Sequence, residues 1–472
     1  MLTLNWIVEQ LAGAAYSGPT PALPIHEVAI DSRAAGPGTL FVALPGERVD
    51  GHDFVAQAFE RGASAALVAR EPGAGLRTIA AEAATAADLA TPVCLQVPDP
   101  LKTLQNLAAA WRARFSPRVI GVTGSIGKTT TKELIASVLA VRYSTLKSEG
   151  NLNNEIGLPL SLLRLREEHE VAVFEMGFYV PGEIAQLCGW ARPEIGVVNN
   201  VYAVHLERAG SLDAIVRGKR ELVEALPGDG VAILNADEPL VLGMRDHSRA
   251  RVVTYGQSAE ADLQATEITT LGFDGIRFTA RYAGSAYSVE TPLLGAHSAL
   301  TALRAAAVGL VCGLTWDEIL TGLLKPGEGA RIRLKLRKGP RGSTLIDDAY
   351  NASPESTVAA LNVLAEAAGR KVAVLGDMLE LGAGERAAHE RVGARAAEVA
   401  ALLVTVGRRA RWIAEAARAH GLADVIAFDD LEAASAAVPG LLQPGDTVLL
   451  KASLGMAFAG LVRTLTEAVD AC

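Results

Sequence analysis

The stretch GVTGSIGKTTTKE, residues 121–133, decides the fold expected for the centre of this chain. The apolar run RVIGVTG leads into it, and TTKELIASVLAVRY, which has helical periodicity, leads out of it. The stretch therefore predicts a glycine-rich turn from a buried strand into a helix. A standard phosphate loop has a glycine where this chain has Val122. The strand-to-helix context nevertheless favours a phosphate loop over a glycine-rich turn with an exposed lysine.

The chemistry of the turn suits a polyphosphate. Its two glycines would let backbone N–H groups converge on phosphate oxygens at the N-terminus of the helix. Lys128 would reach the β- and γ-phosphates, and the Thr129 hydroxyl would bind Mg²⁺. We therefore predict that ATP is bound by Gly124, Ser125, Ile126, Gly127, Lys128, Thr129 and Thr130.

Composition narrows the class of protein. The 472 residues are too many for one hydrophobic core, and a composition with only 5% aromatic residues favours α/β layers. A net charge of −9 argues against a nucleic-acid partner. The cysteines are scattered, as in a reducing compartment, and the N-terminus lacks the basic segment of a signal peptide. Because Arg304 interrupts the most apolar run, we expect no membrane span. The scattered cysteines favour a cytoplasmic location, and we expect a monomer.

Strand and helix patterns divide the chain into three expected domains, at 1–115, 116–328 and 329–472. The second alternates apolar strands with helices, which predicts a mostly parallel sheet covered on both faces, with an antiparallel insert at 261–294. The segment LLKPGEGARIRLKLRKGPRG is rich in glycine and basic residues and is predicted to be a linker. A further parallel α/β series follows it. The expected fold class is therefore α/β, with two α/β domains behind a smaller N-terminal one.

Two side chains that follow strands of the second domain are candidate magnesium ligands. Glu175 ends the strand VAVFE, and His205 lies in the loop after IGVVNNV. The carboxyl ends of parallel strands meet at one edge of the sheet, where ligands bind. A carboxylate there can hold Mg²⁺ beside a phosphate loop. The alternatives are a solvated acid at a strand end and a histidine with a surface or core role.

The helical pattern SLDAIVRGKRELVEAL carries a lysine on its apolar face. Ser211 is the expected N-cap. The apolar stripe comprises Leu212, Ile215, Val216, Leu222, Val223 and Leu226. Lys219 lies at the centre of that stripe. Because burial favours the neutral and nucleophilic amine, Lys219 could capture CO₂ as a carbamate, an anion able to bind Mg²⁺. A lysine that reaches a substrate carboxylate or phosphate is the alternative that spacing leaves open.

Together these motifs resemble the Mur ligase family, whose variant phosphate loop also lacks the first glycine. Within that family the chain is most similar to the ligases that add D-alanyl-D-alanine. The similarity rests on DSRAAGPGTLFVALPGERVDGHDF, EGNLNNEIGLPLSLLRL, FEMGFYVPGEIAQL, RPEIGVVNNVYAVHLERAGS, ILNADEP, IDDAYNASPESTVAAL and VLGDMLELG. These motifs cover nearly the whole chain. They imply an N-terminal domain for a UDP-sugar peptide, a central ATP-binding domain and a C-terminal Rossmann-like ligase domain.

The resemblance also implies roles for individual residues. It implies four catalytic residues: Lys128, Glu175, His205 and Lys219. It implies metal ligands for two Mg²⁺ ions: Thr129, Glu175, His205 and a carbamylated Lys219. It implies nucleotide contacts beyond the loop: Asn235, Asp347, Asn351 and Arg331, with Arg333 as the alternative to Arg331. It implies substrate contacts: Ser32 and Arg33 for the uridine part, Asn153 and Asn154 in the central cleft, and Lys451 for the dipeptide.

The chain departs from the family pattern at two places. The family has His-Asn followed by a second Asn near the adenine, whereas this chain has Ser298 and Thr301 at those positions. Near the C-terminus the family's Lys-Gly-Ser-Arg-Ser becomes KASLGM, which keeps Lys451 and Ser453 and lacks the arginine. Contacts to the base and to the incoming dipeptide are therefore expected to differ from the family's.

An ATP-dependent amide ligase is the function that the resemblance implies. ATP would phosphorylate the terminal carboxylate of UDP-N-acetylmuramoyl-tripeptide, and the amine of D-alanyl-D-alanine would attack the acyl phosphate. One alternative is the same chemistry on another acceptor, as in a sister ligase that adds a single amino acid or in folylpolyglutamate synthase. An alternative of another class is a phosphate-loop kinase or nucleotide switch, which needs neither an inward lysine carbamate nor a third domain.

Overall fold

The computed structural model of the chain describes residues 1–46, 49–73, 75–204, 206–326 and 333–467. Its helices are α1 Leu4–Ala12, α2 Val55–Glu60, α3 Pro100–Arg112, α4 Lys128–Leu139, α5 Gly157–Leu162, α6 Glu183–Ala191, α7 Leu206–Ala209, α8 Leu212–Glu224, α9 Pro239–Leu242, α10 Ser298–Val311, α11 Trp316–Leu324, α12 Pro354–Glu366, α13 Glu385–Val399, α14 Ala410–Ala419, α15 Leu431–Leu441 and α16 Ala459–Glu467. Two predicted site residues, His205 and Arg331, lie outside the described residues.

The strands form three sheets. The first ten are β1 Glu27–Ala29, β2 Thr39–Val42, β3 Ala65–Val68, β4 Thr78–Ala80, β5 Val93–Gln96, β6 Arg118–Thr123, β7 Thr145–Lys147, β8 Val171–Glu175, β9 Ile195–Val198 and β10 Val231–Asn235. The others are β11 Arg251–Gly256, β12 Leu263–Thr270, β13 Ile276–Tyr282, β14 Ser285–Thr291, β15 Lys335–Lys338, β16 Thr344–Asp347, β17 Lys371–Gly376, β18 Leu402–Val406, β19 Val425–Phe428 and β20 Thr447–Lys451.

The N-terminal sheet is parallel. Its strand order is β1-β2-β3-β5-β4, and each neighbouring pair runs in the same direction. Strands β2 and β3 are buried along their whole length, as expected for a parallel sheet that is covered on both faces. One core cluster on this sheet joins Phe41, Ala66 and Cys94 with Val55 and Ala58 of α2.

The central sheet has the strand order β14-β13-β12-β11-β10-β9-β6-β8-β7. The pairs β7–β8, β10–β11 and β11–β12 are parallel. The pairs β12–β13 and β13–β14 are antiparallel, which confirms the antiparallel insert predicted for 261–294. Along β13 the residues alternate between buried and more exposed positions because successive side chains point to opposite faces.

The C-terminal sheet has the order β15-β16-β20-β17-β18-β19. Alternation along β17 sends Val372 and Val374 to a core under α15 and α16, and sends Ala373 and Leu375 to a core under α12, α13 and α14. Helices therefore cover both faces, and the predicted α/β class is confirmed. The linker predicted for this region is wrong at residues 335–338, which form the antiparallel edge strand β15 on β16. All four of its residues are exposed, and a basic exposed edge resists pairing with other chains.

The chain divides into two compact units. The first comprises Met1–Gly121, Tyr143–Gly177 and Gly182–Ile195, and the second comprises Val122–Arg142, Phe178–Pro181 and Gly196–Cys472. None of the described helices combines the length and the hydropathy that a bilayer-spanning segment needs.

Candidate active site

The predicted phosphate loop lies between β6 and α4 in the second unit. Gly127 is the N-cap of α4, and its φ of 77° lies in the left-handed region that glycine adopts without strain. The helix is held down by an apolar face that is fully buried, comprising Leu134, Ile135, Val138 and Leu139. The first N–H groups of any helix lack intrahelical partners. The turn therefore presents the N-terminus of α4 as a candidate anion site.

Two asparagines after β9 hold the loop in shape. The Ile126 N–H donates to Asn200 Oδ1 at 2.9 Å, and Asn199 Nδ2 donates to the Ile126 carbonyl at 3.2 Å. Gly124 packs so closely on Asn199 that a Cβ on the glycine would lie 2.6 Å from the Asn199 Cβ. The loop curvature therefore depends on side chains about seventy residues along the chain, which local sequence analysis did not identify as functional.

The main chain of Tyr202, in the segment after β9, also holds the loop. The Ser125 hydroxyl donates to the Tyr202 carbonyl at 3.0 Å and accepts from the Tyr202 N–H at 2.8 Å. The Lys128 ammonium donates to the carbonyls of Gly124 at 2.9 Å and Ser125 at 3.3 Å, so the lysine lies along its own loop. Thr129 and Thr130 are half-buried in the first turn of α4. The seven predicted residues thus form the turn and the first residues of α4.

Lys219 is buried on α8, as its place in the apolar stripe predicts. The Ser211 hydroxyl accepts from the Ala214 N–H at 3.1 Å, which confirms the predicted N-cap. Lys219 is 2% exposed. Burial first, and then the positive charge of Lys128, lower the pKa of the Lys219 amine well below its usual value. The predicted stripe is wrong at its first member, since Leu212 in the first turn is exposed.

An aromatic ring covers this lysine. The Lys219 Nζ lies 5.0 Å from the centroid of the Phe178 ring, which is itself buried. The ring occupies the space that a side chain at position 218 would need, because a Cβ on Gly218 would lie 1.8 Å from Phe178 Cε2. Gly218 is therefore required by packing: it lets the ring lie against α8 beside the amine.

Replacing Gly218 by alanine should destabilise the protein, although alanine is the better helix former. The clash with Phe178 should cost about 1–3 kcal/mol, against a gain of roughly 1 kcal/mol in helix propensity. In a Phe178→Ala background the same substitution should become stabilising, because the clash is gone. Urea unfolding of the four proteins of this cycle measures the sign change. Gly189 of α6 is the matched control, since a Cβ there meets nothing within 4 Å and Gly189→Ala should be stabilising alone. Stabilisation by Gly218→Ala alone would contradict the packing argument.

The first unit holds another group of predicted residues. Glu175 ends β8 and is buried, and its Oε1 accepts from Asn153 Nδ2 at 2.8 Å. The Glu175 N–H donates to the Ser148 hydroxyl at 3.1 Å. Asn154 Oδ1 accepts from the Gly157 N–H at 2.9 Å at the start of α5. The structure therefore brings Glu175 and Asn153 together and gives Asn154 a helix-capping contact.

The two residues predicted to bind the uridine part lie in the turn after β1. The Ser32 side chain is buried and donates to Gln57 Oε1 at 2.6 Å. The Arg33 guanidinium is exposed and pairs with Asp31 at 2.6 Å. This pair lowers the pKa of the Asp31 carboxyl. Arg33 is thus the accessible member of the two, while Ser32 supports the turn.

The predicted C-terminal residues are Asp347 at the end of β16, Asn351 in the loop before α12, and Lys451 at the end of β20. Asp347 Oδ2 accepts from Arg337 Nε of β15 at 2.7 Å. The Lys451 side chain at the end of β20 is 2% exposed, forms an ion pair with Asp348, and donates to the Asn351 carbonyl at 2.9 Å. The lysine therefore fixes the loop that carries Asp347 and Asn351.

Two further contacts bear on the predicted nucleotide residues. The Arg333 guanidinium lies 3.7 Å from the centroid of the Tyr350 ring, and Tyr350 belongs to the loop between β16 and α12. Asn235 is buried; its Oδ1 accepts from the Asp237 N–H at 3.0 Å and its Nδ2 donates to the Asn199 carbonyl at 3.5 Å. Asn235 thus lies behind the asparagine that holds the loop. Among the described residues, no group of three or more His, Cys, Asp or Glu side chains could hold a metal ion.

Comparison with known families gives three matches along the chain. The Mur ligase family catalytic domain matches residues 24–112, the Mur ligase middle domain matches 122–309, and the Mur ligase glutamate ligase domain matches 332–454. The phosphate loop, Lys219 and the asparagines after β9 lie in the second match. The loop with Asp347 and Asn351 lies in the third.

Individual relatives are similar to this chain over nearly its full length. The chain is 36% identical to the UDP-N-acetylmuramoyl-tripeptide--D-alanyl-D-alanine ligase of Bacillus subtilis (strain 168), covering 98% of each chain. It is 38% identical to the ligase of the same name from Escherichia coli (strain K12), covering 94% of each.

Solved structures agree as well. The crystal structure of MurF from Acinetobacter baumannii has a TM-score of 0.82 at 32% identity and covers 98% of each chain. MurF of Thermotoga maritima in complex with ADP has a TM-score of 0.75 at 28% identity, over 94% of this chain and 98% of that one. A folylpolyglutamate synthase of Mycobacterium tuberculosis, at 17% identity and a TM-score of 0.61, shares the fold alone. With its three domains matched in order and relatives aligned from end to end, this chain belongs to the Mur ligase family.

Proposed function

We propose that this protein is an ATP-dependent ligase that joins D-alanyl-D-alanine to UDP-N-acetylmuramoyl-tripeptide. The observation that carries the proposal is the identity of 36–38% over nearly the whole chain to ligases named for this reaction. The turn of residues 124–130 at the N-terminus of α4 supports it, because the reaction begins with a nucleotide polyphosphate. The sister ligases and folylpolyglutamate synthase share less of this chain's sequence, at 17–18% identity.

The chemistry follows from the poor reactivity of a carboxylate. The carboxylate of the tripeptide attacks the γ-phosphorus of ATP, the bond to the β–γ bridging oxygen breaks, and ADP leaves. The amine of the dipeptide then attacks the acyl carbon, loses a proton, and expels phosphate to leave an amide. Lys128 supplies a fixed positive charge beside the phosphoryl group that moves. The amides at the start of α4 hold the polyphosphate in line for the attack.

The residues present suit Mg²⁺ and a carbamate. Mg²⁺ prefers hard oxygen ligands, and Thr129 and the buried Glu175 carboxylate offer them; His205 remains a predicted ligand. When bound, Mg²⁺ neutralises negative charge on the phosphates. Lys219 suits carbamate formation because its amine is buried and has a lowered pKa, and because no carboxylate of the described ranges forms an ion pair with it. The other predicted contacts of Ser32, Arg33, Asn153, Asn154, Asp347, Asn351 and Lys451 with substrates belong to the same proposal.

We also propose the domain division at 1–115, 116–328 and 329–472. The three family matches, at 24–112, 122–309 and 332–454, fall inside these limits and support them. The proposed function places the protein in the cytoplasm, where ATP and UDP-linked sugars are supplied. A monomer is part of the same proposal.

Phosphate release by the purified protein tests the proposed function. The assay contains ATP, Mg²⁺ and UDP-N-acetylmuramoyl-tripeptide, with either D-alanyl-D-alanine or single amino acids as the acceptor. We expect release that requires the dipeptide, and a product heavier than the tripeptide by one dipeptide less water. Omission of the tripeptide is the control and should abolish release. Release with a single amino acid would assign the protein to a sister ligase. ATP binding without release for any acceptor would favour a nucleotide switch.

A further inference from the structure

A buried arginine lies behind the phosphate loop. Arg304 belongs to α10 and is 5% exposed. Its Nε donates to the Tyr255 hydroxyl at 2.7 Å, and its Nη1 donates to the hydroxyls of Thr131 at 3.0 Å and Thr301 at 3.3 Å. All three partners are neutral hydroxyls. They satisfy donors of the guanidinium without compensating its charge.

The Arg304 guanidinium forms no ion pair with a carboxylate in the described part of the chain. No described carboxylate lies at ion-pair distance from the guanidinium, whose contacts are the three hydroxyls and the face of Tyr255. Burying an unpaired charge is costly, so buried arginines are normally paired with an anion. A guanidinium kept in this state next to a candidate polyphosphate site indicates that the anion comes with the ligand.

The contacts of Arg304 lead directly into the loop. Thr131 Oγ1, which accepts from Arg304, also accepts from Asn199 Nδ2 at 3.1 Å. The same Asn199 amide donates to the Ile126 carbonyl. On the other side, a Cβ on Gly127 would lie only 3.9 Å from Arg304 Nη1. The guanidinium therefore both approaches the turn and orients the side chains that hold it.

We propose that Arg304 is a positioning residue that sets the affinity of the loop for the polyphosphate part of the nucleotide. The nucleotide phosphates supply the missing negative charge, and the hydrogen bonds through Thr131 and Asn199 keep the loop in its binding shape. The identity of the nucleotide rests on the proposed function. A purely structural arginine in the core is the alternative, and it would act on stability without regard to the number of phosphates.

The test compares nucleotides that differ in phosphate number. Dissociation constants of Mg-ADP and of adenosine are measured by calorimetry for the wild type, Arg304→Met and Arg304→Lys. In Arg304→Met we expect the Kd of Mg-ADP to rise about tenfold or more, as for loss of a charge-assisted contact, and that of adenosine to change less than about threefold. Arg304→Lys keeps the charge without the planar fork and should recover part of the Mg-ADP affinity.

Arg112→Met is the matched control for removal of a buried arginine. Arg112 is 6% exposed, and its guanidinium donates to the carbonyls of Ala191 at 2.9 Å and Phe115 at 2.7 Å in the first unit. The control should lower the melting temperature and leave the Kd of Mg-ADP unchanged.

Two results would overturn the proposal. One is an equal loss of affinity for Mg-ADP and adenosine, and the other is an unchanged Kd of Mg-ADP in both Arg304 variants. If Arg304→Met does not fold, Arg304→Lys decides alone: an unchanged Kd ratio of adenosine to Mg-ADP counts against the proposal. A wild type that binds Mg-ADP but ligates no acceptor would overturn the proposed function and leave this comparison intact.

Discussion

Replacing Lys219 by alanine should reduce ligase turnover by on the order of 10³-fold, the effect of removing a group that stabilises developing charge. Burial and the charge of Lys128 lower the pKa of the Lys219 amine, which favours the neutral form whose lone pair can attack CO₂. In the proposed reaction a C–N bond would form, the nitrogen would lose a proton, and the resulting carbamate would carry the negative charge that the proposed site requires. Activity of purified wild type and variant, assayed with the tripeptide and dipeptide, measures the loss.

A short carboxylic acid should restore part of the activity of Lys219→Ala, because it can place a carboxylate in the space that the side chain leaves. Incubation with ¹³C-bicarbonate should give a carbamate signal by NMR in the wild type and none in the variant. The signal should weaken as the pH falls through the lowered pKa of the amine, since the ammonium form has no lone pair. Lys102→Ala, an exposed lysine of α3, is the control and should keep full activity. Full activity in Lys219→Ala would refute the carbamate role.

Replacing Lys451 by methionine should destabilise the C-terminal sheet by about 3–5 kcal/mol, because Asp348 would be left as an uncompensated buried charge. The ion pair lies at the end of β20, with side chains that are 2% and 9% exposed. Its lysine also donates to the Asn351 carbonyl, so the loop before α12 should loosen with it. Hydrogen exchange of β16 and β20, compared between wild type and variant, measures the change locally and does not require two-state unfolding of the whole chain.

The double variant Lys451→Met/Asp348→Leu should recover most of this stability, because no charge then remains buried. Arg386→Met breaks an exposed pair with Glu390 of 2.7 Å in α13 and should leave the exchange rates nearly unchanged. Equal exchange in Lys451→Met and wild type would show that the pair is not what holds the loop. The double variant also separates stability from activity: if Lys451 contacts the dipeptide, ligation should stay low after the fold is restored.

Local patterns in the sequence were enough to predict much of this protein. Continuous apolar runs between helices predicted the parallel strands, and the alternation at 261–294 predicted the antiparallel insert. The strand, glycines and lysine of residues 121–133 located the loop. The 3.6-residue period predicted that the Lys219 side chain is buried. These features depend on neighbours within a few turns of the chain, so periodicity reveals them. The same reasoning failed at residues 335–338, where a glycine- and basic-rich segment pairs with a strand that follows it.

Only the tertiary structure decided which side chains complete the site. Asn200 holds Ile126 from 74 residues away, and Arg304 reaches Thr131 across 173 residues. The need for glycine at position 218 comes from the packing of the Phe178 ring and not from the helix that contains it. No local period records such contacts, because they arise where the ends of different strands and helices meet in space. The sequence by itself located the candidate phosphate loop; the packing of distant elements determined which side chains shape that loop and lend it charge.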